Sequence, residues 1–184
     1  MVSDPSGPLS DNLHQLLCQV EAGESVDGNI LLAVIRQQEK QSSPSKSVEA
    51  LAGTWQLIWT SGTRQYQTAR AQKVMARSQS AFRSIVLQRI DPQTGWFENQ
   101  VRLPLGQLTV AGPFTYSATQ RIEFTFTRLQ LQLGRLPALP LPLGNWAKGW
   151  LQTTYLDDLW HIERGDRGGI SVYRRQTESA GKMD

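Results

Sequence analysis

The spacing of hydrophobic residues changes near residue 50. Before it, Leu13, Leu16, Leu17 and Val20 recur at i, i+3, i+4 and i+7, behind Ser10 or Asp11 as N-cap and ahead of Gly23. Ile30, Leu31, Val34 and Ile35 form a second helical stripe behind Asp27, which runs out in QQEKQ before the linker SSPSKS. Two helices are predicted, too short to be stable alone and expected to cover one end of a β structure. Cys18 falls beside the first stripe and is read as a buried thiol.

From Gly53 the period is two. Trp55, Leu57 and Trp59 alternate with Thr54, Gln56, Ile58 and Thr60, and Leu108, Val110, Phe114 and Tyr116 keep one phase across Gly112-Pro113. Ile122, Phe124 and Phe126 keep a phase that flips at Thr127-Arg128, after which Leu129, Leu131 and Leu133 take over. A flip in mid-run marks a bulge or a barrel corner, because one extra residue sends every later side chain to the other face. Further strands are expected at 83–90, 95–103, 150–156, 159–164 and 169–175. Eight or so strands in an antiparallel meander form a sandwich or close into a barrel. Large apolar residues in one phase and Thr, Gln and Arg in the other favour the barrel, which is either filled or holds one small ligand.

The segment Gly134 to Trp150 breaks both patterns. Pro137, Pro140 and Pro142 exclude it from a central strand, yet it carries Leu136, Leu139, Leu141, Leu143, Trp146 and Trp150. It is a core loop, a lid over a pocket, or an edge dipping into lipid.

Composition narrows the functional classes. Hydrophobic residues make up 39% of 184 and charged residues 19%, a globular balance. No apolar run approaches the ~18–20 residues of a membrane-spanning helix. One cysteine excludes an internal disulfide, and two histidines leave little for a metal site. The opening MVSDPSGPLSD lacks a signal or transit pattern, which predicts a cytoplasmic protein or a processed one. The net charge of +3 hides an asymmetry: residues 1–50 hold seven acids and three bases, whereas Leu51 to Ile90 hold six bases and no acid. Those bases (Arg64, Arg70, Lys73, Arg77, Arg83 and Arg89) are scattered along the segment; they suit a solvated face, or a field that attracts nucleic acid, an anionic membrane surface or an acidic partner.

Catalytic motifs are scarce. His161 alternates with Trp160 and Ile162 near Asp157-Asp158, but adjacent acids point to opposite faces and no serine stands in a nucleophile motif. There is no phosphate loop and no metal-ligand spacing. No catalytic residue, cofactor, metal or nucleic acid is expected.

Two motifs give the chain a resemblance. LAGTWQLIWTSG (51–62) opens the β region and TTYLDDLWHIERGDRGGISVYRR (153–175) closes it, with RSIVLQRID before GWFENQV between them. This resembles the plastid lipid-associated protein family, or fibrillins, in the manner of a cyanobacterial-type member. The matching positions are Gly53, Trp55, Leu57, Thr60 and Ser61, then Thr154, Tyr155, Leu156, Asp157, Ile162, Arg164, Gly165 and Asp166. Trp59 stands where the family has tyrosine, and His161 where it has arginine. The resemblance implies a lipocalin-like barrel, no enzymatic activity, and association with lipid bodies or thylakoid membranes. It also implies binding of lipid, isoprenoid, carotenoid or quinone.

The expected fold is therefore mainly β, a lipocalin-like antiparallel barrel preceded by two α-helices. Residues 1–47 form the helical segment and linker, 48–176 the barrel and 177–184 a flexible tail. Trp55, Leu57, Trp59, Phe114, Tyr116, Phe124, Phe126 and Trp160 are expected to line its cavity, and Leu139, Leu141, Leu143, Trp146 and Trp150 to form the lid or membrane loop. Arg164 is expected to pair with Asp157, Asp158 or Asp166. The other function open to these residues is that of an interaction protein, with a filled barrel whose basic face docks an enzyme or an anionic membrane.

Overall fold

The computed structural model describes residues 9–42, 47–61, 85–117, 119–143, 147–166 and 168–177. Helix α1 (Asp11–Glu21) begins where the Ser10 hydroxyl accepts the Leu13 N–H and ends at Gly23, whose φ of 82° suits glycine. Helix α2 (Gly28–Gln41) begins where Asp27 accepts the Asn29 N–H at 2.8 Å. Leu13, Leu17, Leu31 and Ile35 are fully buried. Ile30 departs from its predicted stripe and is 56% exposed. Cys18 is exposed too, contrary to its reading as a buried thiol: it lies one residue, or about 100° of helix, beyond Leu17.

Ten strands complete the described chain: β1 (Gly53–Thr60), β2 (Ile85–Asp91), β3 (Trp96–Leu103), β4 (Gly106–Tyr116), β5 (Arg121–Thr125), β6 (Arg128–Leu133), β7 (Leu139–Pro140), β8 (Lys148–Leu156), β9 (Trp160–Gly165) and β10 (Ile170–Arg175). Eight close an antiparallel barrel in the order β3-β2-β1-β10-β9-β8-β5-β4, with β4 returning to β3. The phase flip predicted at Thr127-Arg128 is a bulge: Phe114 faces Phe124 but Ala111 faces Arg128, so one strand advances four residues while the other advances three. There the β5–β6 run divides. β5 stays in the barrel against β8, and β6 leaves it to carry β7. Pro113 falls between the last β4–β6 pair and the first β4–β5 pair. Gly112 beside it has no room for a side chain, since a Cβ would lie 2.0 Å from the Thr125 carbonyl oxygen.

The helices lie against the outer wall of the barrel, not over an end as the sequence suggests. Leu13, Leu17, Leu31 and Ile35 pack on Tyr155, Trp160, Ile162, Ile170 and Val172, side chains of β8, β9 and β10. A second cluster fills the interior, built from Leu51, Trp55, Ile90, Phe97, Ile122, Phe126, Leu156 and Tyr173. Strands β9 and β10 are thus buried on both faces, a pattern more usual in sheets covered on both sides.

Candidate functional site

The barrel interior holds most of the side chains that alternation places there. Trp55 is fully buried, its indole N–H donating to the Leu51 carbonyl at 2.9 Å. Leu57, Phe114, Tyr116, Phe124 and Phe126 join the same inner cluster. Phe97, Phe124 and Phe126 form a triad with ring centroids 4.6 to 5.7 Å apart.

Trp59 and Trp160 do not lie there, which corrects the sequence expectation for both. A register shift between Leu57 and Trp59 places Trp59 outside, with Ile58, against the helix-covered cluster. Trp160 shares the outer face of β9 with Ile162, and Arg174 stacks over its ring at 4.8 Å. The alternation on β9 holds, but its two faces are exchanged.

With Trp160 outside, its alternating neighbours His161 and Glu163 point inward. They meet Thr153 of β8, Tyr173 of β10 and Gln88 of β2 in a polar cluster walled off from solvent, in which all five residues are buried. Glu163 accepts from the Tyr173 hydroxyl at 2.9 Å and from the Gln88 amide at 3.3 Å. His161 Nε2 lies 3.2 Å from the Thr153 hydroxyl and 3.9 Å from the Glu163 carboxylate, and its ring sits 5.3 Å from that of Trp55. Burial, seconded by the Arg175 charge, lowers the His161 pKa to about 3, so the imidazole is neutral. Burial raises the Glu163 pKa to about 7, against the stabilising bonds from Tyr173 and Gln88. His161 Nδ1 and Gln88 Oε1 are buried without a hydrogen-bond partner. Sequence reasoning misses Gln88, Thr153, Glu163 and Tyr173. The available signal is that His161 and Glu163 share one phase of β9, opposite a Trp-Ile phase that helices can cover.

The residues of the closing motif frame this cluster. Asp157 accepts the Tyr155 hydroxyl at 2.7 Å and the backbone N–H groups of Leu159 and Trp160, which shapes the β8–β9 turn. Leu156 turns inward after a bulge between Thr153 and Tyr155. Arg164 does not pair with any of the three aspartates expected; it grips Glu39 of α2 with two N–H donors and so ties the helix to the barrel. Gly165 and Asp166 close the β9 end through backbone bonds to Gly169 and Trp150. Gly53 adopts φ 126°, and a side chain there would press on the Arg175 guanidinium, which caps the Ala50 and Ala52 carbonyls.

The segment expected to act as one lid or membrane loop is divided. Leu139 lies on the edge strand β7 and is 59% exposed, Leu141 is half-buried, and Leu143 packs against the inner cluster. Trp150 belongs to β8, with Arg121 stacked on its ring at 4.2 Å. Trp146 lies outside the described residues, as do Arg64, Arg70, Lys73, Arg77 and Arg83, whereas Arg89 is exposed on β2. A shallow cleft of about 480 Å3 runs outside the barrel between α2 and β8, lined by Arg36, Glu39, Lys40, Gln152 and Arg164 among others. Among the described residues, no cluster of His, Cys, Asp and Glu has the makings of a metal site, and no helix is long and apolar enough to cross a membrane.

Plastid-lipid-associated protein 6, chloroplastic, of Arabidopsis thaliana is 27% identical over 68% of this chain, and probable plastid-lipid-associated protein 12, chloroplastic, of the same plant is 29% identical over 82%. Its probable plastid-lipid-associated protein 11, chloroplastic, is 28% identical over 69%. The alignments take in 53%, 38% and 57% of those proteins, so the chain spans about half the length of the curated relatives it matches. Among solved structures, Echinococcus granulosus fatty-acid-binding protein 1 aligns over 71% of this chain and 100% of its own at 11% identity and a TM-score of 0.35, too loose a likeness to bear on function. The PAP_fibrillin family model matches residues 19–174, which hold α2 and all but the last residue of the barrel strands, and the chain belongs to that family.

Proposed function

We propose that this protein is a non-enzymatic binder or carrier of a mainly apolar small molecule, such as a lipid, isoprenoid, carotenoid or quinone, at lipid bodies or thylakoid membranes. The observation that carries the reading is the Gln88–Thr153–His161–Glu163–Tyr173 cluster inside an otherwise apolar barrel. Burying a polar atom without a partner costs about 1–3 kcal/mol, and two such atoms, His161 Nδ1 and Gln88 Oε1, lie in this cluster. A ligand hydroxyl or carbonyl near Gln88 and His161 would satisfy them. Neutral His161, beside a carboxyl held largely protonated below pH 7, suits an uncharged polar group. Trp55, Leu57, Phe114, Tyr116, Phe124 and Phe126 would take the hydrocarbon. The relatives named for lipid association support the same reading.

A second reading, a filled barrel that docks a partner by its basic face, is favoured by the Phe97–Phe124–Phe126 triad and by the external position of the Arg36–Lys40 cleft. Native mass spectrometry of protein purified from its own host separates the two. A bound small molecule, with saturable one-site quenching of tryptophan fluorescence by a carotenoid or quinone, is the expected result. Bare protein that shows no quenching rejects the carrier and leaves the docking barrel.

A further inference from the structure

Eight large apolar side chains stand exposed among the described residues, and five of them gather at one place. Leu103 and Leu105 belong to the tight β3–β4 turn and are 44% and 81% exposed. Leu133, Leu136 and Leu139 belong to the β6–β7 hairpin and are 47%, 63% and 59% exposed. The two tips are held side by side. Gly106 pairs with Leu133, and the Gly134 N–H donates to the Leu105 carbonyl at 2.9 Å. Gly106 makes this approach possible, since a Cβ there would lie 2.0 Å from the Gln132 carbonyl oxygen. Close backbone pairing thus holds in place leucines whose own side chains stand in solvent.

The charge around the tips has one sign. Residues 99–106 and 131–140, which form the two tips, hold no acid and two bases, Arg102 and Arg135. Arg102 and Arg135 are exposed, one on each tip. We infer that the paired β3–β4 and β6–β7 tips are a lipid-insertion surface, with the leucines entering the acyl boundary and Arg102 and Arg135 meeting anionic headgroups. The leucines stand exposed on two adjoining hairpins, whereas protein interfaces concentrate energy in residues set in pockets. Aliphatic tips that each carry an exposed arginine match an interface between apolar chains and anionic headgroups.

This inference rests on the reading that the protein meets lipid, and vesicle flotation separates the two. The full chain is floated with phosphatidylcholine vesicles, with and without phosphatidylglycerol, alongside a Leu105→Ser/Leu136→Ser variant and an Arg102→Gln/Arg135→Gln variant. The expected result is that wild type floats best with phosphatidylglycerol and less at high salt. The leucine variant should melt at the wild-type temperature yet partition roughly tenfold or more weakly, and the arginine variant should lose the preference for anionic lipid. If wild type floats and the leucine variant floats equally, this surface is wrong while lipid association stands. If wild type never floats, both fall. Concentration-dependent dimers abolished by the leucine changes, without flotation, would assign the tips to a second copy and overturn the inference.

Discussion

The barrel has two kinds of wall. In β3 and β5, the inner face carries Phe97, Ile122 and Phe124 while the outer positions between them are Glu98, Arg121 and Glu123. In β9 and β10 the order is inverted: Trp160, Ile162, Ile170 and Val172 face outward under the helices, and His161, Glu163 and Tyr173 face inward. The first wall, bare of helix among the described residues, obeys the usual rule of apolar inside and polar outside. The covered wall has two interiors, so its hydrophobic effect is satisfied on the outside and its inner face is free to carry polar groups. A polar cluster inside a small barrel is tolerated here because a second core, outside it, adds stability.

The largest test of that inversion is a charge on each wall. Ile162→Asp places a carboxylate between α1, α2 and the sheet, where nothing solvates it, and should cost more than ~4 kcal/mol and leave the chain unfolded in a thermal melt. Arg89→Asp, on the exposed outer face of β2 opposite Glu98, should cost no more than ~1 kcal/mol. If Ile162→Asp melted like wild type, the helices would not be part of the fold's core.

The bare wall has its own weak point, and it is backbone. Gly112→Ala forces a Cβ to within 2.0 Å of the Thr125 carbonyl oxygen and 2.8 Å of the Phe126 Cα, at the bend where β4 changes partner. Overpacking against backbone should cost ~2–3 kcal/mol by denaturant titration. A neutral result would show that the β5–β6 bulge can yield.

How much of this can be read from the sequence differs between the walls. On the bare wall, Phe114, Phe124 and Phe126, and the flip at Thr127-Arg128, are legible because alternation and sidedness agree there. On the covered wall alternation is visible, but period alone carries no sign. Size and apolarity argue for Trp160 inside, when a tryptophan under a helix is equally buried. Trp59 is misplaced for a different reason: an extra residue at Ile58 turns it out, and nothing in Trp-Gln-Leu-Ile-Trp marks that bulge. The Gln88–Glu163 bond links residues 75 apart in the chain, a pairing that exists only once the barrel closes. Sequence proximity matches Arg164 to its nearest acids, whereas its partner Glu39 arrives from α2.

A smaller effect comes from the two titrating groups on the inner face of the covered wall. His161 binds its proton at pH 6.5 when unfolded and only near pH 3 when folded, so its contribution is fully present above pH 6.5 and is lost as pH falls toward 3. Glu163 runs the other way, from 4.5 unfolded to about 7 folded: its contribution is present below pH 4.5 and lost as pH rises through 7. Between about pH 4.5 and 6.5 the unfolded chain carries the histidine proton and the folded chain carries the glutamate proton, so the pair adds no net slope. Glu163→Gln should break this balance. Relative to wild type, stability should rise with pH across that window by about 1.4 kcal/mol per unit at most. His161→Gln should show the opposite slope. The cluster's other members are Tyr173, Gln88 and Thr153, with the Arg175 charge close by, and none of these changes charge in the window. Difference curves that stay flat for both variants would mean that neither group is held in its neutral form.

The smallest effect is expected one residue from one of the largest. Leu17 is fully buried in the outer core, so Leu17→Ala should cost ~2–5 kcal/mol. Cys18 is its neighbour on α1 but is turned about 100° away into solvent, its sulfur 3.9 Å from the His14 ring nitrogens one helical turn back. Cys18→Ser should therefore shift stability by less than ~0.5 kcal/mol. In the folded wild type the thiol should react with a thiol-specific reagent as fast as it does in denaturant. The comparison fixes the width of the covered wall, because it asks how far around α1 burial extends. If Cys18 reacts only after unfolding, the apolar cover spreads past Leu17, and the second core is broader than Leu13, Leu17, Leu31 and Ile35 define.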